Sequence, residues 1–450
     1  MAVHRQVVSA RTAWSQPSSL PQKDIPSQSA QPKRLAYFIN CFPNLIETMI
    51  YREVGALRAL GNEVCIFSIR RPAPAEIPTE AQSFCDATFY ILPIGLFQLL
   101  KTHMRALVRH PVRYWHILFA VLSGTHMRFR DRLRTLCHFI EAVAVLPVVE
   151  ELHVDHLHAH WAVGAATSAM VISQFLGIPF TFTAHAYDIW REKLLLPEKL
   201  RAAQAVVTCT DYNRQHLATT YGIRMEKLHV VYHGVDLRRF QPGEPPRNAE
   251  PVLLSVGRLV EQKGLDRLLR ACAALAQQGY RLRCDIIGDG PLRRDLEQLT
   301  DELGLGERVH FHGRLFQEQL IEHYAAADLF VLPCIQAADG DRDGIPNVLI
   351  EAMAMQLPII STRFSGVPEL VVDASTGVLV EPDNVPALVE AMRGLLDDPA
   401  RGHSLGQAGR QRVIEGFTIE RSATTLHHLF ASLISARTNR AMPATARHLL

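Results

Sequence analysis

Two carboxylates, eight positions apart, bracket the stretch DGIPNVLIE in the second half of the sequence. An apolar segment, LFVLPC, and a polar loop precede it, which predicts a strand, a loop and a helix start. Pro346 suits the first helical position, because its missing N–H costs nothing there. The next three amides, 347–349, then lack intrahelical acceptors and favour an anion. Asp343 in the loop and Glu351 in the helix could accept hydrogen bonds from the hydroxyls of a sugar or a ribose.

A simpler interpretation makes Asp343 a helix cap and Glu351 a surface residue, and spacing alone favours it. A second loop favours a ligand-binding site instead. SVGRLVEQKGLD places Arg258 and Lys263 between an apolar strand and a helix. The planar fork of Arg and the compact charge of Lys suit a diphosphate, although either residue taken singly is more simply an exposed loop charge. Loops of this kind gather at the carboxyl edge of a parallel sheet, where ligands bind.

The elements that must position these residues alternate along the chain. Apolar strands such as RLAYFIN, EVCIFSIR, PFTFTAH, VLLSV, LRCDIIG and LPIIST are separated by helical patterns, which predicts α/β architecture with parallel sheets covered by helices. A length of 450 residues favours two such domains. We expect a disordered leader at 1–33, a first domain at 34–240, a linker at 241–250, a second domain at 251–415, a last helix at 416–436 and a tail at 437–450.

Composition excludes several classes of protein. A net charge of +2, with 48% hydrophobic and 20% charged residues, describes a globular chain without a polyanionic partner. The eight cysteines are scattered without a CxxC pair, which favours reduced thiols in a cytoplasmic protein. The histidine pairs in HLHAH and HFHG lack further ligands at metal spacing, so no metal site is expected. The first 33 residues lack the apolar core of a signal peptide, and no apolar run has the length of a spanning helix.

A basic amphipathic insert at 95–134 interrupts the alternation. Its cations face only Asp131 as an opposing charge within the segment, and large apolar residues are interleaved with them. Peripheral contact with the anionic inner face of a membrane and an ordinary solvated helical face are equally good interpretations. RNA binding is disfavoured because no nucleic-acid motif accompanies the charge. The cations are Lys101, Arg105, Arg109, Arg113, Arg128, Arg130, Arg132 and Arg134.

The ordered motifs SVGRLVEQKG, IIGDGPLRRDLE, VHFHGRL, AADLFVLPC and DGIPNVLIEAMAMQLPIISTRFSGVPELV resemble the retaining family-4 glycosyltransferases. The resemblance is close in the second domain, looser in the first, and covers roughly 34–435. It is strongest to bacterial enzymes that build exopolysaccharide or other surface glycans. It implies the GT-B fold, in which two Rossmann-like domains face each other across a cleft. It also implies an acceptor-side first domain, a donor-binding second domain and a last helix that crosses back to the first.

The resemblance assigns roles to the residues already singled out. Arg258 and Lys263 would bind the donor diphosphate and stabilise the leaving group, which is electrostatic catalysis without a metal or other cofactor. Glu351 would bind the ribose hydroxyls. Asp343 would contact the donor sugar, and His185, after the PFTFTAH strand, would face that sugar from the other domain. The remaining implied donor-binding residues are Gly313, Arg314, Leu315, Gly344, Ile345, Pro346, Asn347 and Val348.

Two positions depart from the family pattern. Asp343 stands where relatives usually have Glu, so Asp339 or Asp341 could compensate for the shorter side chain, or donor choice could shift. Ile46 stands where many relatives have Ser, in the loop near Pro43 and Glu47.

The activity implied is transfer of a hexosyl group from a UDP- or GDP-linked sugar to a hydroxyl of a glycan or lipid-linked glycan. The acceptor would attack from the face of the leaving group and pass its proton to the departing phosphate oxygen, since no protein nucleophile is obvious. Two alternatives remain open: a phosphorylase that uses inorganic phosphate, and a catalytically silent sugar-binding protein. A dinucleotide site is disfavoured, because GDGPLR has Arg293 at the third glycine position.

Overall fold

The computed structural model describes residues 33–44, 47–77, 79–124, 128–244 and 248–441. The chain divides into two compact units. Among the described residues, the first unit contains 33–209, 214–231 and 422–441, and the second contains 210–213 and 232–421.

Within the described residues, the first unit holds a seven-stranded parallel sheet of order β3-β2-β1-β4-β5-β6-β7. Strands β1 and β2 are buried along most of their length, which explains why they are largely apolar on both faces. In chain order the elements are β1 (Arg34–Cys41), α1 (Thr48–Ala59), β2 (Glu63–Arg70), α2 (Gln82–Asp86), β3 (Thr88–Tyr90), α3 (Leu96–Arg109), α4 (Pro111–Leu122), α5 (Phe129–Leu152), β4 (His156–His160), α6 (Gly164–Leu176), β5 (Phe180–Ala184), α7 (Leu196–Ala202), β6 (Ala205–Thr208), α8 (Asp211–Tyr221) and β7 (Leu228–Val230).

The predicted basic insert forms α3, α4 and the first turns of α5. These helices pack against one another, and the second half of α5 is buried in the core of the first unit. The insert is therefore part of the helical layer of this unit rather than a loop.

The described part of the second unit contains a six-stranded parallel sheet of order β10-β9-β8-β11-β12-β13. The strand order reverses between β8 and β11, so loops that follow these two strands diverge above the sheet and leave room for a ligand. The elements that follow in chain order are β8 (Val252–Val256), α9 (Leu265–Gln277), β9 (Arg283–Ile287), α10 (Arg293–Glu302), β10 (Val309–Gly313), α11 (Gln317–Ala326), β11 (Leu329–Leu332), α12 (Asn347–Ala354), β12 (Ile359–Thr362), α13 (Val367–Leu370), β13 (Val378–Val380), α14 (Val385–Leu396) and α15 (Pro399–Gly416). The last helix, α16 (Ile419–Ala441), begins in the second unit and continues into the first.

The predicted α/β class with two parallel sheets covered by helices is confirmed. The last helix, α16, runs to Ala441, past the predicted end at 436, and its residues from Ser422 onward belong to the first unit. There Phe430 packs edge-on against Tyr37 of β1. The predicted leader, except Lys33, and residues 245–247 of the predicted linker lie outside the described residues. None of the helices in the described ranges combines the length and apolar content needed to cross a bilayer.

Candidate functional site

The loops that follow β8 and β11 meet at the point where the strand order of the second sheet reverses. Lys263 ends the first loop and Asp343 lies in the second, and the Lys263 Nζ is 2.9 Å from Asp343 Oδ2. The two residues were singled out from separate motifs, and the fold brings them into one ion pair. The thiol of Cys334, at the start of the second loop, lies 4.0 Å from the same carboxylate oxygen.

Close backbone packing holds these two loops together. Gly264 has φ +64°, and a Cβ there would lie 2.0 Å from the carbonyl oxygen of Pro333, so this position requires glycine. The Ile335 amide donates to the carbonyl of Gln262 across 3.0 Å. The side chain of Gln262 in turn donates to Asp341 Oδ2 at 3.1 Å. Lys263 is therefore positioned by a loop that is hydrogen-bonded to the loop carrying Asp343.

Lys263 is buried, with 9% of its surface exposed, and still carries its charge. Burial alone would lower its pKa, but the Asp343 carboxylate outweighs this effect and the pKa is raised above its ordinary value. Arg258 differs, since its side chain is exposed and makes no ion pair with any described residue. The site thus combines one buried, ion-paired cation with one exposed cation on the same loop.

The start of α12 differs from the prediction in two details. Pro346 is the N-cap, with φ −60° and ψ 125°, and Asn347 is the first helical residue. The Leu349 amide donates to the Pro346 carbonyl at 3.0 Å, so it is removed from the amides that could meet an anion. The cause is a tightened first turn, which satisfies one terminal amide internally. No side chain caps the helix, so the interpretation of Asp343 as its cap is wrong.

Glu351 is buried, with 9% of its surface exposed, so its interpretation as a surface residue is also wrong. Tyr324 of α11 donates a hydrogen bond to Glu351 Oε2 at 3.0 Å. Burial, together with the negative charge of Glu351, raises the pKa of the Tyr324 phenol well above its ordinary value, so the phenol stays protonated as a donor. The hydrogen bond fixes the direction of the carboxylate.

Asp341 and Asp339 are the neighbouring acids that could compensate for the short side chain of Asp343. The two oxygens of Asp341 accept from the Gln262 side chain and the Arg342 amide, and Asp339 Oδ1 accepts from the Asp341 amide. These carboxylates hold the loop in shape. Asp343 is therefore the carboxylate that pairs with Lys263.

The other predicted site residues lie further along the sheet or in the first unit. Gly313 ends β10, the edge strand beyond β9, and has φ +71°. Arg314 is exposed, with its Nε 4.0 Å from Asp289 Oδ2, and Leu315 packs against the core. His185 follows β5 in the first unit, where the Trp161 ring stacks on it at a centroid distance of 4.1 Å and Asp188 accepts its amide at 2.7 Å.

Ile46, the second position that departs from the family pattern, lies outside the described residues. Glu47 beside it is described, and burial raises the pKa of its carboxyl to about 7.

Sequence reasoning missed Tyr324 and Gln262. Tyr324 lies 27 positions before Glu351 in the chain, and only the packing of α11 against α12 brings them together. Nothing in local spacing marks either residue. A buried acid near a helix start does, however, require a hydrogen-bond donor. The sequence could therefore predict that a tyrosine or an amide lies beside Glu351, but not which one.

Two Rossmann-like units of this kind, with a cationic loop and an acidic helix start at the reversal point of one sheet, define the GT-B class of nucleotide-sugar enzymes. Comparison with known proteins agrees. Residues 46–239 match the family described as Glycosyltransferase Family 4, and residues 238–412 match Glycosyl transferases group 1. The chain belongs to the family-4 glycosyltransferases and is a glycosyltransferase.

Curated relatives include glycosyltransferases named for colanic acid and amylovoran biosynthesis. The putative colanic acid biosynthesis glycosyltransferase WcaL of Escherichia coli is 39% identical over 80% of this chain and 89% of its own length. A GDP-mannose-dependent phosphatidylinositol monomannoside mannosyltransferase of Mycolicibacterium smegmatis is 32% identical over 52% of this chain. That match spans 64% of the mannosyltransferase, just under two thirds of its length.

Solved structures agree on the fold. Sucrose-phosphate synthase from Thermosynechococcus elongatus superposes with a TM-score of 0.68 at 21% identity, over 90% of this chain and all of that one. The Anabaena HepE protein in complex with UDP-glucose gives a TM-score of 0.65 at 18% identity, over 90% of this chain and 99% of that one. At these identities the likeness concerns the fold alone.

Proposed function

We propose that the protein is a retaining, metal-independent hexosyltransferase. It moves a hexosyl group from a UDP- or GDP-linked sugar to a hydroxyl of a glycan or lipid-linked glycan during surface-polysaccharide assembly. The observation that carries the proposal is the Lys263–Asp343 pair at the reversal point of the second sheet, 2.9 Å apart, beside the start of α12. Relatives named for colanic acid and amylovoran biosynthesis support the pathway class.

In this mechanism the donor diphosphate replaces Asp343 as the main partner of Lys263. The buried ammonium is charged before the donor arrives, because its pKa is raised, and it needs no reorganisation as charge develops on the leaving phosphate. Arg258, exposed on the same loop, closes over the phosphates from solvent. The two cations take the place of a metal ion at the leaving group.

The same replacement frees Asp343 for the sugar. Once Lys263 turns to the diphosphate, the carboxylate loses its ion pair and accepts hydrogen bonds from donor hydroxyls. Glu351, aimed by Tyr324, accepts from the ribose, and amides between Gly344 and Val348 meet the sugar and phosphate. The acceptor hydroxyl attacks the anomeric carbon from the side of the departing diphosphate. The C–O bond to phosphate breaks as the new C–O bond forms, and the hydroxyl proton passes to the phosphate oxygen.

We also propose that the protein docks on an anionic membrane through the basic apolar surface, defined as the exposed side chains of residues 96–124 and 128–134. Large apolar side chains on this surface are exposed, with Phe97 and Phe129 more than four-fifths accessible. Monomeric soluble proteins rarely expose so many apolar side chains in one region. Lys101, Arg128, Arg130 and Arg132 are exposed and make no ion pair within the described part of the chain. Cations beside apolar side chains suit lipid headgroups.

Not all of the basic residues are available for lipid. Glu150 pairs with Arg105 and Arg109, and Glu192 pairs with Arg134. Asp131 is the only acid within the segment, and the fold adds these two acids from outside it. Arg113 makes no ion pair but donates to the Phe175 carbonyl at 2.6 Å. The attraction for lipid rests on the remaining four cations, Lys101, Arg128, Arg130 and Arg132.

A thermal-shift screen without added metal tests the donor assignment. UDP, GDP, ADP and their common sugar conjugates are added in turn, and a ligand that binds only the folded state raises the Tm. We expect one nucleotide to stand out, to lose its effect in Lys263→Ala and to keep it in the control Lys227→Ala, whose lysine lies in the first unit. The chosen sugar nucleotide should then be consumed without inorganic phosphate. No shift from a folded sample, or turnover that requires free phosphate, would contradict the proposal.

A further inference from the structure

Three potential metal ligands converge in the second unit, apart from the Lys263–Asp343 pair. Asp285 lies on β9, His312 on β10 and His323 on α11, and their ligand atoms all lie within 4.8 Å of one another. His312 Nε2 is 3.2 Å from Asp285 Oδ1, and His323 Nδ1 is 4.0 Å from Asp285 Oδ2. A single tetrahedral Zn²⁺ with bonds of about 2.0–2.1 Å places its ligand atoms about 3.3 Å apart, so only small side-chain rotations are needed.

The convergence depends on contacts that the sequence does not display. His312 belongs to the pair HFHG, which has no further ligand nearby in sequence. Strands β9 and β10 are neighbours, and a register shift between Phe311 and Gly313 leaves His312 as the extra residue of a bulge. Bulges re-aim side chains in this way. Helix α11 then brings His323, so that its ring centroid lies 4.6 Å from that of His312.

Asp285 supplies an independent indication of a missing partner. Its side chain is buried, with 3% of the residue exposed, and its Oδ1 faces His312 Nε2 at 3.2 Å without forming a hydrogen bond of normal geometry. A buried carboxylate oxygen that makes no well-formed hydrogen bond is costly and rare in native proteins. Arg283 donates to the other oxygen, Oδ2, at 3.0 Å and does not occupy Oδ1. A cation between Oδ1 and the two imidazoles would satisfy the buried oxygen.

The ligand chemistry fits a first-row transition metal. Imidazole binds a metal through a ring nitrogen of its neutral form. Two imidazoles and one carboxylate suit Zn²⁺. The side chains of His312 and His323 remain 32% and 26% exposed, so water can reach a fourth position.

We propose that Asp285, His312 and His323 form a Zn²⁺-binding site whose fourth ligand is water. The site ties the edge strand β10 to helix α11 immediately before Gly313, where the chain turns toward the segment 313–315. It is separate from the Lys263–Asp343 pair and takes no part in the proposed transfer. The inference therefore stands independently of the proposed function.

Titration calorimetry of the full chain with ZnCl₂ at neutral pH, after removal of metal by a chelator, tests the proposal. The 21 histidines provide other weak sites, so the variants decide. We expect a high-affinity site in the parent protein that weakens by about tenfold or more in His312→Ala, in His323→Ala and in Asp285→Asn. His403→Ala, which removes an exposed histidine on α15 of the same unit, should bind Zn²⁺ like the parent.

A second readout protects the test from misfolded variants. Zn²⁺ should raise the Tm of the parent and of His403→Ala, and leave the Tm of the two histidine variants unchanged. If Asp285→Asn does not fold, the histidine variants, whose side chains are partly exposed, still decide. Zn²⁺ binding that is absent in the parent, or equally tight in His312→Ala and His323→Ala, would overturn the proposal.

Discussion

The ammonium of Lys263 and the carboxylate of Asp343 form an ion pair across 2.9 Å, although the two residues lie on loops that follow different strands. In the proposed transferase, one member of this pair attracts the donor diphosphate and the other repels it. The pair therefore sets a balance between binding the nucleotide and contacting the sugar, and changes to Asp343 should separate the two.

Asp343→Asn should bind the nucleoside diphosphate more tightly while transferring sugar more slowly. Loss of the carboxylate removes a repulsion and releases Lys263, which is worth roughly 1 kcal/mol, or about fivefold in affinity. Calorimetry with the nucleotide identified by the thermal-shift screen measures binding, and a donor-consumption assay measures turnover. Asp339→Asn removes an exposed charge from the same loop and serves as the control. Weaker nucleotide binding in Asp343→Asn would show that Asp343 does not oppose the diphosphate.

Asp343→Glu tests the length of the acid. It keeps the charge and adds one methylene, so that the site matches the usual residue of the family. We expect turnover to be preserved or improved, measured by the same donor-consumption assay. A folded but inactive variant would indicate instead that the pocket is built around the shorter side chain.

Tyr324→Phe should weaken donor binding and lower stability. The buried Glu351 carboxylate loses its donor at 3.0 Å, which costs about 1–3 kcal/mol, and its direction is no longer fixed. We expect KM for the donor to rise more than kcat falls, because the ribose contact is made before and during transfer. Tyr280→Phe is a matched control, since its phenol donates to Asp397 at the surface. A Tyr324→Phe variant with the parent's KM and Tm would show that Tyr324 does not position Glu351 for donor binding.

Membrane docking should depend on the unpaired cations of the basic apolar surface. Each is worth about 1 kcal/mol near an anionic surface, so replacing Lys101, Arg128, Arg130 and Arg132 by Ala should reduce binding by at least about tenfold. Co-sedimentation with phosphatidylglycerol-containing vesicles measures this. Replacing the pair Arg105 and Arg109, which Glu150 neutralises, should have the smaller effect. Equal binding by all variants, or equal binding to neutral vesicles, would show that the segment is an ordinary solvated helical face.

Stability should fall as the pH drops below 6.5, and His156 should contribute to the slope. Burial lowers the pKa of His156 from 6.5 to about 3, so the unfolded chain binds a proton there in this window and the folded chain does not. The stability contribution is complete above the unfolded value of 6.5 and is lost as the pH falls toward 3, by at most about 1.4 kcal/mol per pH unit. Chemical denaturation of the parent and His156→Gln at several pH values measures the slope, which should be shallower in the variant.

His116→Gln is the control for this slope, because His116 is exposed on α4. It should leave the pH dependence unchanged. Parallel pH profiles for the parent and His156→Gln would show that the buried imidazole is not a source of acid sensitivity.

The sequence predicted the helices, strands and loops better than it predicted side-chain contacts between distant residues. The apolar strands, the amphipathic helix after Lys263 and the joint placement of Lys263 and Asp343 follow from local periodicity and from one rule about parallel sheets. Tyr324 beside Glu351, and Glu150 beside Arg105, could not be predicted, since their meeting depends on how helices pack over long separations. For the same reason, the proximity of His323 to His312 could not be predicted from the sequence.

The start of α12 shows a different limit. Residue type placed Pro346 near the helix start, but propensity does not distinguish the N-cap from the first helical residue, and the tightened turn that engages Leu349 is a matter of backbone geometry. An error of one residue in the predicted helix start therefore has little effect on the predicted fold. It does change which backbone amides are predicted to face a ligand.

The hydrogen bonds from Gln262 to Asp341, and from Ile335 to Gln262, have a consequence for evolution. They join the loop of Lys263 to the loop of Asp343, so a substitution in one loop alters the geometry of the other. The effects of two substitutions, one in each loop, on stability and donor binding will therefore not be additive. A lineage that acquires a new donor cannot readily adjust these loops one residue at a time. Arg314, exposed just after the edge strand and outside this joined pair, is a position where single substitutions can accumulate without disturbing the ion pair.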